Sequence, residues 1–503
     1  MTKLFFTATK AQRHEDKIIN ISFVSLCLCG KYILMFFFLF KGSVTAAQEW
    51  LQVPGVIHVQ TSFDGAGQYS LDQLVAMAKE KKIEVLIPAD HDLQAMEYGV
   101  LPFRNIIKKK EQRDSVIKNG PKKFLEQVAR VNQMQNQVLV IPGVQSSPFY
   151  YWTGSFLGKN LTAHDYRKEL LLVGMQSPKD YQGLPLLHSK FSTRYTKKML
   201  PRSLAFLAGL LLSVYLLLHT GILRILGWIL CLLSIGLLIN HHPFQSSRFD
   251  PYHGDQGIMP YQELIDYVNE RNGLVFWLHP ESNYDVNGTQ LGPVKLFTQH
   301  YPDDLIAAKG YTGFEALYGD NITAIDPGKH WDKILNDYCL GHRDRPAWGI
   351  SGADFHGSKG EEIDTFQTIF LVSQKTTKAI LEALSKGRMY AVEKGADKRL
   401  SLDQFQIKDN TSGNLAISGQ DLDLQGPPLV EVRLSASDSG RYPVKVSLIR
   451  GGKAMESFEG ETPLEFHFLD QDQRAGKTYY RLDARGAAGG RLLSNPIFVS
   501  FHP

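Results

Sequence analysis

Short apolar runs alternate with amphipathic stretches from residue 56 to about residue 392. The run "GVIHV" predicts a β-strand, "SLDQLVAMAKEKK" predicts a helix capped by Ser70, and "IEVLIPADHD" predicts a second strand that ends in polar residues. The same succession returns in "PKKFLEQVARVNQ" with "VLVIPGVQ", and in "PYQELIDYVNERNG" with "LVFWLHPE". Strand, helix and strand in series predict an α/β domain whose parallel strands form a sheet or a barrel.

The first of two long apolar segments lies near the N-terminus, at residues 21–40. Basic residues precede it and the small residues "SVTAAQ" follow it, which predicts a signal peptide or an uncleaved signal anchor within residues 1–47. The excess of basic residues before this segment predicts a cytoplasmic N-terminus and extracytoplasmic soluble domains. The basic residues before the second segment argue for the opposite orientation, but the first segment usually dominates.

The second apolar segment, residues 203–239, consists of two runs separated by "HTG", each just long enough to span a bilayer. This pattern predicts a transmembrane helical hairpin within residues 201–242 and a multi-pass membrane protein, with the lipid bilayer as its partner. The alternative is a buried pair of helices in a soluble core. The hairpin interrupts the α/β region and divides it into residues 48–200 and 243–398.

After about residue 400 the pattern changes to period-two alternation, as in "PLVEVRLSAS", "YPVKVSLIRGG" and "TYYRLDARG". This alternation, punctuated by Gly and Asp, predicts a small antiparallel β-sandwich at residues 399–503. The segment holds no cluster of chemistry-bearing residues, so that binding, docking and structural support are all open to it.

Length, charge and cysteine content limit the number of domains and the kinds of binding partner that we expect. The chain has 503 residues, which predicts two or three domains, and its 55 basic and 51 acidic residues give a net charge of +4. This charge is nearly balanced, and no basic stripe with interleaved aromatic residues occurs, so we expect no nucleic-acid partner. Cys339 is the single cysteine outside the apolar segments, which excludes a disulfide framework and leaves the compartment open. The oligomeric state is also left open.

Histidines and carboxylates recur at the ends of the predicted strands, where α/β folds gather their functional groups. A single residue of this kind is more often a satisfied polar group than a ligand. Four strand ends that each carry a His or an Asp–His pair instead predict a metal site, because neutral imidazoles and carboxylates bind divalent ions. The residues at or just past the strand ends are His58, Asp90, His91, Gln145, His279, Asp354 and His356.

The order of these motifs resembles that of the PHP family, the metal-dependent phosphoesterases named after polymerases and histidinol phosphatase. The family's H-x-H-T-x-x-S-D-G motif is similar to "HVQTSFDG", its T-D-H-D motif to "ADHD" and the glutamate of its G-x-E turn to the last residue of "GVQ". Its histidine-proline and G-S-D-x-H motifs are similar to "LHP" and "SGADFHG". The resemblance covers about residues 56–392 apart from the hairpin. It implies a distorted (β/α)7 PHP-type barrel that holds up to three divalent ions at its strand ends.

The resemblance also assigns roles by position. It implies catalytic roles for His58, His91 and Asp354. It implies metal ligation by His58, Asp64, His91, His279, Asp354 and His356.

Two ligand positions depart from the family pattern, since Gln60 stands where the family has a histidine and Gln145 where it has a metal-bridging glutamate. A further family histidine has no match, and Glu169 is the nearest candidate. A bridging carboxylate a few ångströms from an ion is worth about 4 kcal/mol at an effective dielectric constant near 20, and glutamine lacks that charge. We therefore expect a divalent cofactor, Mn, Zn or Mg, with fewer than three ions.

Two functions follow. The first is a membrane-anchored phosphoesterase that hydrolyses a small phosphorylated substrate with a metal-activated water, helped by basic residues such as Arg104 and Lys108–Lys110. The second is a degenerate, non-catalytic PHP domain that serves as a membrane-tethered ligand-binding or assembly module, for which the losses at Gln60 and Gln145 argue.

Overall fold

The described part of the chain begins after the predicted signal segment. The computed structural model describes residues 50–189, 191–320, 322–396, 398–472, 475–486 and 489–501. The predicted signal peptide or anchor within residues 1–47 lies outside the described residues and stays a prediction.

The first part of the α/β region contains the strands and helices that its apolar runs predict, together with short elements that these runs do not predict. They are β1 (Leu51–Val59), α1 (Leu71–Glu80), β2 (Val85–Pro88), β3 (Asp90–His91), β4 (Ala95–Gly99), β5 (Lys108–Gln112), α2 (Val116–Asn119), α3 (Pro121–Met134), β6 (Leu139–Val140), β7 (Gly143–Ser146), β8 (Tyr151–Thr153), β9 (Thr162–His164), β10 (Leu170–Val173) and α4 (Pro178–Gln182). In α1, the Ser70 hydroxyl accepts a hydrogen bond from the Gln73 N–H, and the Gln73 side chain accepts one from the Ser70 N–H. This capping box confirms the predicted start of the helix.

The interrupting segment forms two long apolar helices, α5 (Thr196–Leu217) and α6 (Ile222–Asn240). Both are long and apolar enough to cross a membrane. Their apolar side chains face outward, with Leu218 80% and Leu232 68% exposed. Among the described residues these side chains are not covered by a protein core, which argues against the alternative of a buried helical pair.

The chain segments that lead into α5 and out of α6 run side by side. Leu186 accepts a hydrogen bond from the Ser246 hydroxyl, and the Ser192 N–H donates to the carbonyl of Phe244. At the base of the helices, the Ser203 hydroxyl donates to the carbonyl of His241. These contacts join the two segments into a stalk, here defined as residues 186–189, 191–195 and 241–246.

The second part of the α/β region repeats the strand and helix succession. Its elements are α7 (Met259–Asn269), β11 (Leu274–Trp277), β12 (Thr289–Leu291), β13 (Val294–Phe297), α8 (Pro302–Ala307), β14 (Gly313–Leu317), α9 (His330–Cys339), β15 (Trp348–Ser351), β16 (Phe366–Val372), α10 (Thr377–Lys386) and β17 (Met389–Glu393). Every residue of β11 and β14 is buried, as expected for strands covered on both faces.

Neighbouring strands pair in succession, and the predicted metal ligands lie at or just past the carboxyl ends of the parallel strands. β1 pairs with β2 and β2 with β6, and beyond short breaks in these strands β3 pairs with β7. The succession continues through β10, β11, β14 and β15. After β15 the N–H groups of Ala353 and Phe355 donate to the carbonyls of Ile57 and His58, at the end of β1. The strand succession thus returns to its start.

The strand β10 runs antiparallel to both of its neighbours, β7 and β11, so the prediction of parallel strands throughout is wrong there. The chain reaches β10 from β7 through the short β8–β9 pair and not through a helical crossover. β10 therefore begins at the edge where β7 ends and runs back. As a result Glu169, just before β10, lies at the same edge as the residues that follow the parallel strands.

The C-terminal region consists of strands, in line with its alternating pattern. They are β18 (Leu400–Asp409), β19 (Leu415–Ile417), β20 (Asp421–Leu424), β21 (Pro428–Ala436), β22 (Pro443–Arg450), β23 (Lys453–Glu461), β24 (Leu464–Leu469), β25 (Gly476–Gly486), β26 (Arg491–Ser494) and β27 (Ile497–Phe501). β19, β18, β21 and β24 form one sheet, whereas β26 pairs with β17 and extends the sheet of β16 and β1. The predicted boundary near residue 399 thus separates two regions that share a continuous sheet.

A buried ion pair also links these regions. The Arg481 guanidinium on β25 donates to both carboxylate oxygens of Asp332 on α9, at 2.7 Å each, and both side chains are fully buried. The C-terminal strands are thereby fixed to a helix of the α/β region.

Candidate metal centre

Three predicted ligands converge at the strand ends. The side chains of His58, His279 and Asp354 each offer a ligand atom, and these atoms lie within 4.8 Å of one another. Within this group, His58 Nε2 and Asp354 Oδ1 are 3.1 Å apart. All three residues have positive φ angles, of 67°, 24° and 43°. Such strained backbone persists where surrounding structure enforces it, and it is concentrated at functional sites.

A buried carboxylate orients the two histidines. Glu315 Oε1 accepts a hydrogen bond from His58 Nδ1 at 2.7 Å, and Glu315 Oε2 accepts from the His279 backbone N–H at 2.8 Å. Because Nδ1 of His58 is directed at Glu315, Nε2 is the ring nitrogen that faces Asp354, and it would bind an ion once it has lost its proton. Burial acts to lower the pKa of His58, but the charges of Glu315 and Asp354 outweigh burial and hold that pKa well above its ordinary value.

The residue Glu315 is absent from the ligand set predicted from the sequence. Its only signal is an acidic residue inside the apolar run "GFEAL" of β14, and its side chain is fully buried. A buried carboxylate needs partners, and here the partners are the two histidines of the site.

A second group flanks the first and contains Asp64, His91 and Glu169. Asp64 Oδ2 accepts from the backbone N–H of His91 at 2.8 Å and from its Nδ1 at 2.7 Å, so that the ring is held by one carboxylate. Glu169 lies between two rings, with Oε1 3.9 Å from His91 Nε2 and Oε2 3.4 Å from His279 Nε2. Burial raises the pKa of Glu169, but His279 and His91 outweigh it and leave that pKa below its ordinary value.

Both glutamines that depart from the family pattern lie inside the site. Gln145 Oε1 accepts a hydrogen bond from Gln60 Nε2 at 2.6 Å and lies 3.1 Å from His58 Nε2. Gln60 Oε1 is buried and has no hydrogen-bond partner among the described residues. The two hydrogen-bonded amide side chains thus lie next to the His58 ring, with Gln145 contributed by β7.

The remaining predicted ligand, His356, is turned aside. Its Nδ1 donates to the backbone carbonyl of Asp354 at 2.9 Å and lies 3.9 Å from that residue's carboxylate. The ring is partly exposed at the site's mouth. Of the six predicted ligands, His58, His279 and Asp354 form the tight group, whereas Asp64, His91 and His356 surround it.

Two further carboxyl groups of the "ADHD" stretch are buried. Asp90 accepts from the Thr61 N–H and hydroxyl at 2.9 and 2.8 Å, which fixes the end of β1. Burial, reinforced by the nearby Asp64 charge, raises the pKa of Asp90 to about 8, and burial raises the pKa of Asp92 to about 7. Asp90 therefore positions backbone and does not join the three-residue group.

The donor set fits a divalent ion. Two imidazole nitrogens, a carboxylate and a nearby amide oxygen suit Zn or Mn, since these ions accept mixed nitrogen and oxygen ligands. The buried Gln60 Oε1 has no hydrogen-bond donor among the described residues, and a cation beside it would satisfy this oxygen. One ion at His58, His279 and Asp354 is the arrangement that these residues support.

A cavity of about 1320 Å³ lies beside this centre, and Asp64, His91, Glu169 and His356 are among the residues that line it. Arg167 lines the same cavity, where its Nε lies 3.0 Å from Asp285 Oδ2. Arg167 is two residues before Glu169, and its positive charge acts on both His91 and Glu169.

Of the basic candidates chosen from the sequence, two are neutralised. Lys108 and Lys110 lie 2.5 and 3.1 Å from the carboxylate oxygens of Glu97, whereas the Arg104 guanidinium stacks 4.0 Å from the ring centre of Tyr252. Arg104 and Lys109 still line the cavity.

Comparisons with known proteins give distant similarities. No protein-family model matches the chain, and no curated protein matches it. One similar structure is a two-domain protein from Bacteroides vulgatus containing a predicted PHP-like metal-dependent phosphoesterase, at 11% identity and a TM-score of 0.32, covering 86% of this chain and 90% of that one. Another is a candidate metal-dependent phosphoesterase from Bifidobacterium adolescentis, at 14% identity and a TM-score of 0.28, covering 61% of this chain and 90% of that one. Neither similarity is close enough to assign an activity to this chain.

Proposed function

We propose that this chain is a membrane-attached, PHP-type metal-dependent phosphoesterase. The observation that carries the proposal is the convergence of His58, His279 and Asp354 within 4.8 Å at strand ends, in the motif order of that family. The return of the strand succession to β1 supports a distorted PHP-type barrel. The apolar, outward-facing α5 and α6 support attachment to a bilayer, and the chain would be multi-pass if both helices span it.

The reaction adds water across a P–O ester bond and yields a phosphate and an alcohol. A divalent ion held by His58, His279 and Asp354 would polarise the phosphoryl group and lower the pKa of a water. His91, fixed by Asp64 through Nδ1, presents its ring to the cavity as a candidate proton carrier. Arg167 is the candidate ligand for the phosphate oxygens.

The two glutamines favour one ion over a cluster. Gln60 and Gln145 donate and accept a hydrogen bond with each other, whereas bridging between two ions requires a carboxylate. The same feature supports the second candidate function, a PHP-type domain that binds a metal or ligand without turnover.

One experiment separates these two functions. The full chain, purified in detergent and stripped with a chelator, is reloaded with Mn, Zn or Mg, and bound metal and p-nitrophenyl phosphate hydrolysis are both measured. We expect about one ion per chain and turnover, with both lost in Asp354→Ala and His279→Ala. The control is His342→Ala, whose exposed ring lies outside the centre. Bound metal without turnover would favour the binding module, and the absence of both bound metal and turnover in the wild type would overturn the phosphoesterase.

A further inference from the structure

The cavity at the metal centre is larger than a small phosphorylated metabolite needs. Its volume of about 1320 Å³ exceeds the ~300–1000 Å³ that encloses an ordinary small ligand. Its lining combines the polar residues Asp64, His91 and Glu169 with apolar side chains such as Leu93, Leu161, Leu187 and Leu296.

The rim of the cavity is apolar and exposed, which is unusual for a protein surface that faces only water. It is formed by three loops, residues 100–107 between β4 and β5, residues 154–161 between β8 and β9, and the turn between β12 and β13. Its most exposed apolar residues are Val100 at 55%, Leu101 at 67%, Ile107 at 55%, Phe156 at 56%, Leu157 at 91% and Leu291 at 44%.

This rim adjoins the base of the two apolar helices. The N–H and the side-chain amide of Asn105 donate to the side-chain and backbone oxygens of Asn240, the last residue of α6, at 2.7 Å each. Phe103 lies against Gly236, where a Cβ atom would come within 2.6 Å of its ring. Gly236 therefore allows the loop 100–107 to pack directly against the last turn of α6.

Helix length places this contact at a bilayer boundary. The 19 residues of α6 span about 28 Å at about 1.5 Å per residue, close to the ~30 Å thickness of a hydrocarbon core. If α6 spans the membrane as proposed, its last turn and the packed loop lie at the headgroup level. A second cavity of about 870 Å³ at this base shares Leu101, Arg104 and Lys108 with the first, so that the two cavities adjoin.

The charges along this route suit an anionic amphiphile. Lys198 and Arg202 line the base cavity, Arg104 lines both cavities, and Arg167 lines the first cavity. Anionic lipid headgroups are attracted to such basic side chains at a membrane surface. The route thus runs from a basic membrane boundary, past an apolar rim and apolar walls, to a group of metal ligands.

We propose that the substrate is a lipid phosphate ester, drawn from the bilayer over the rim, with its tail against the apolar walls and its phosphate at the metal centre. This inference rests on the proposed phosphoesterase function and on the membrane attachment of α5 and α6. It replaces the small soluble substrate that the sequence suggested with an amphiphile.

The test uses the full chain in phosphatidylcholine nanodiscs with Mn, and a phosphatidic acid that carries a photoreactive diazirine in one acyl chain. Crosslinks are mapped by mass spectrometry. We expect them in residues 100–107 and 154–161, and we expect dioleoyl phosphatidic acid to compete at least about tenfold better than dibutyryl phosphatidic acid, because each buried methylene adds affinity.

Matched variants locate the effect. Leu101→Asp and Leu157→Asp should each reduce rim labelling by about tenfold, because a charge is placed on the apolar path. Leu340→Asp is the control, since Leu340 is equally exposed, at 69%, and lies outside both cavities. Labelling confined to α5 and α6, equal competition by the short-chain lipid, or an equal loss in Leu340→Asp would overturn the lipid inference.

Turnover of p-nitrophenyl phosphate is measured in the same samples, so that the two proposals fail separately. Turnover without rim labelling rejects the lipid substrate and leaves the phosphoesterase standing. Rim labelling with short-chain discrimination but no hydrolysis of either ester supports lipid binding and rejects the enzyme.

Discussion

Replacement of Glu315 by glutamine tests whether this buried carboxylate sets the metal site. Glu315 accepts two hydrogen bonds, from His58 Nδ1 at 2.7 Å and from the His279 N–H at 2.8 Å. A glutamine offers one oxygen and one NH2 group, so one of the two N–H donors loses its acceptor. If the NH2 group faces His58, the ring proton moves to Nε2, the nitrogen that faces Asp354.

The expected loss of metal affinity follows from the loss of the carboxylate that orients His58. Loss of the carboxylate that orients a metal-binding histidine costs about 10–100-fold in metal affinity, or about 1.4–2.7 kcal/mol. We therefore expect Glu315→Gln to fold and to bind Mn or Zn with affinity reduced by that factor. Isothermal titration of the chelator-stripped protein measures the affinity, and thermal unfolding in detergent checks the fold.

The matched control is Glu281→Gln. Glu281 is also a buried glutamate near a strand end, but its oxygens accept from Thr323 and Ala324 and not from the histidines. It should change metal affinity by less than about twofold. Equal affinities for Glu315→Gln and the wild type would refute the argument that Glu315 orients His58.

Three further predictions address the ion count, the acid response and the shared sheet. Gln145→Glu should raise bound metal from about one to two ions per chain, measured by elemental analysis, because it restores a bridging carboxylate; an unchanged count would contradict this account. Burial raises the pKa of Glu97, but His188 and the neighbouring lysines outweigh it and hold that pKa well below its ordinary value. Its stabilising contribution is present above the ordinary glutamate pKa of about 4.3 and is lost as the pH falls below it, so Glu97→Gln should flatten the fall of Tm between about pH 5 and pH 3. Arg481→Leu should lower the free energy of unfolding by about 3–5 kcal/mol in denaturant titrations, because it leaves the buried Asp332 charge without its cationic partner, and adding Asp332→Leu should cost less than the sum of the single changes.

The sequence was sufficient to predict those site residues and helix ends that are marked by a local pattern. His58, His279 and Asp354 each follow an apolar run, and a strand end is where a polar side chain reaches a site. The start of α1 could also be predicted, because Ser70 and Gln73 are three residues apart and form a purely local cap. Local spacing carries enough information for features of this kind.

The places of Glu315 and Glu169 in the site could not be predicted from local sequence, because they depend on how distant strands assemble. An acidic residue inside "GFEAL" fits an exposed strand face equally well, and burial of Glu315 requires that both faces of β14 be covered. The position of Glu169 depends on the reversed direction of β10, which no local pattern encodes. The ring of His356 is likewise set by a hydrogen bond to backbone that forms only in the fold.

The paired stalk has a consequence for how the chain tolerates its long insert. Residues Leu186 and Ser246 are in hydrogen-bonding contact, and Val173 is paired directly with Leu274 across β10 and β11. The surrounding strands are therefore connected as if by a short loop, and the entropy of closing a loop grows only slowly with its length. The two apolar helices beyond the stalk can therefore be treated as a separable insert, and we expect a short turn between Leu186 and Ser246 to remove α5 and α6 without moving the metal ligands.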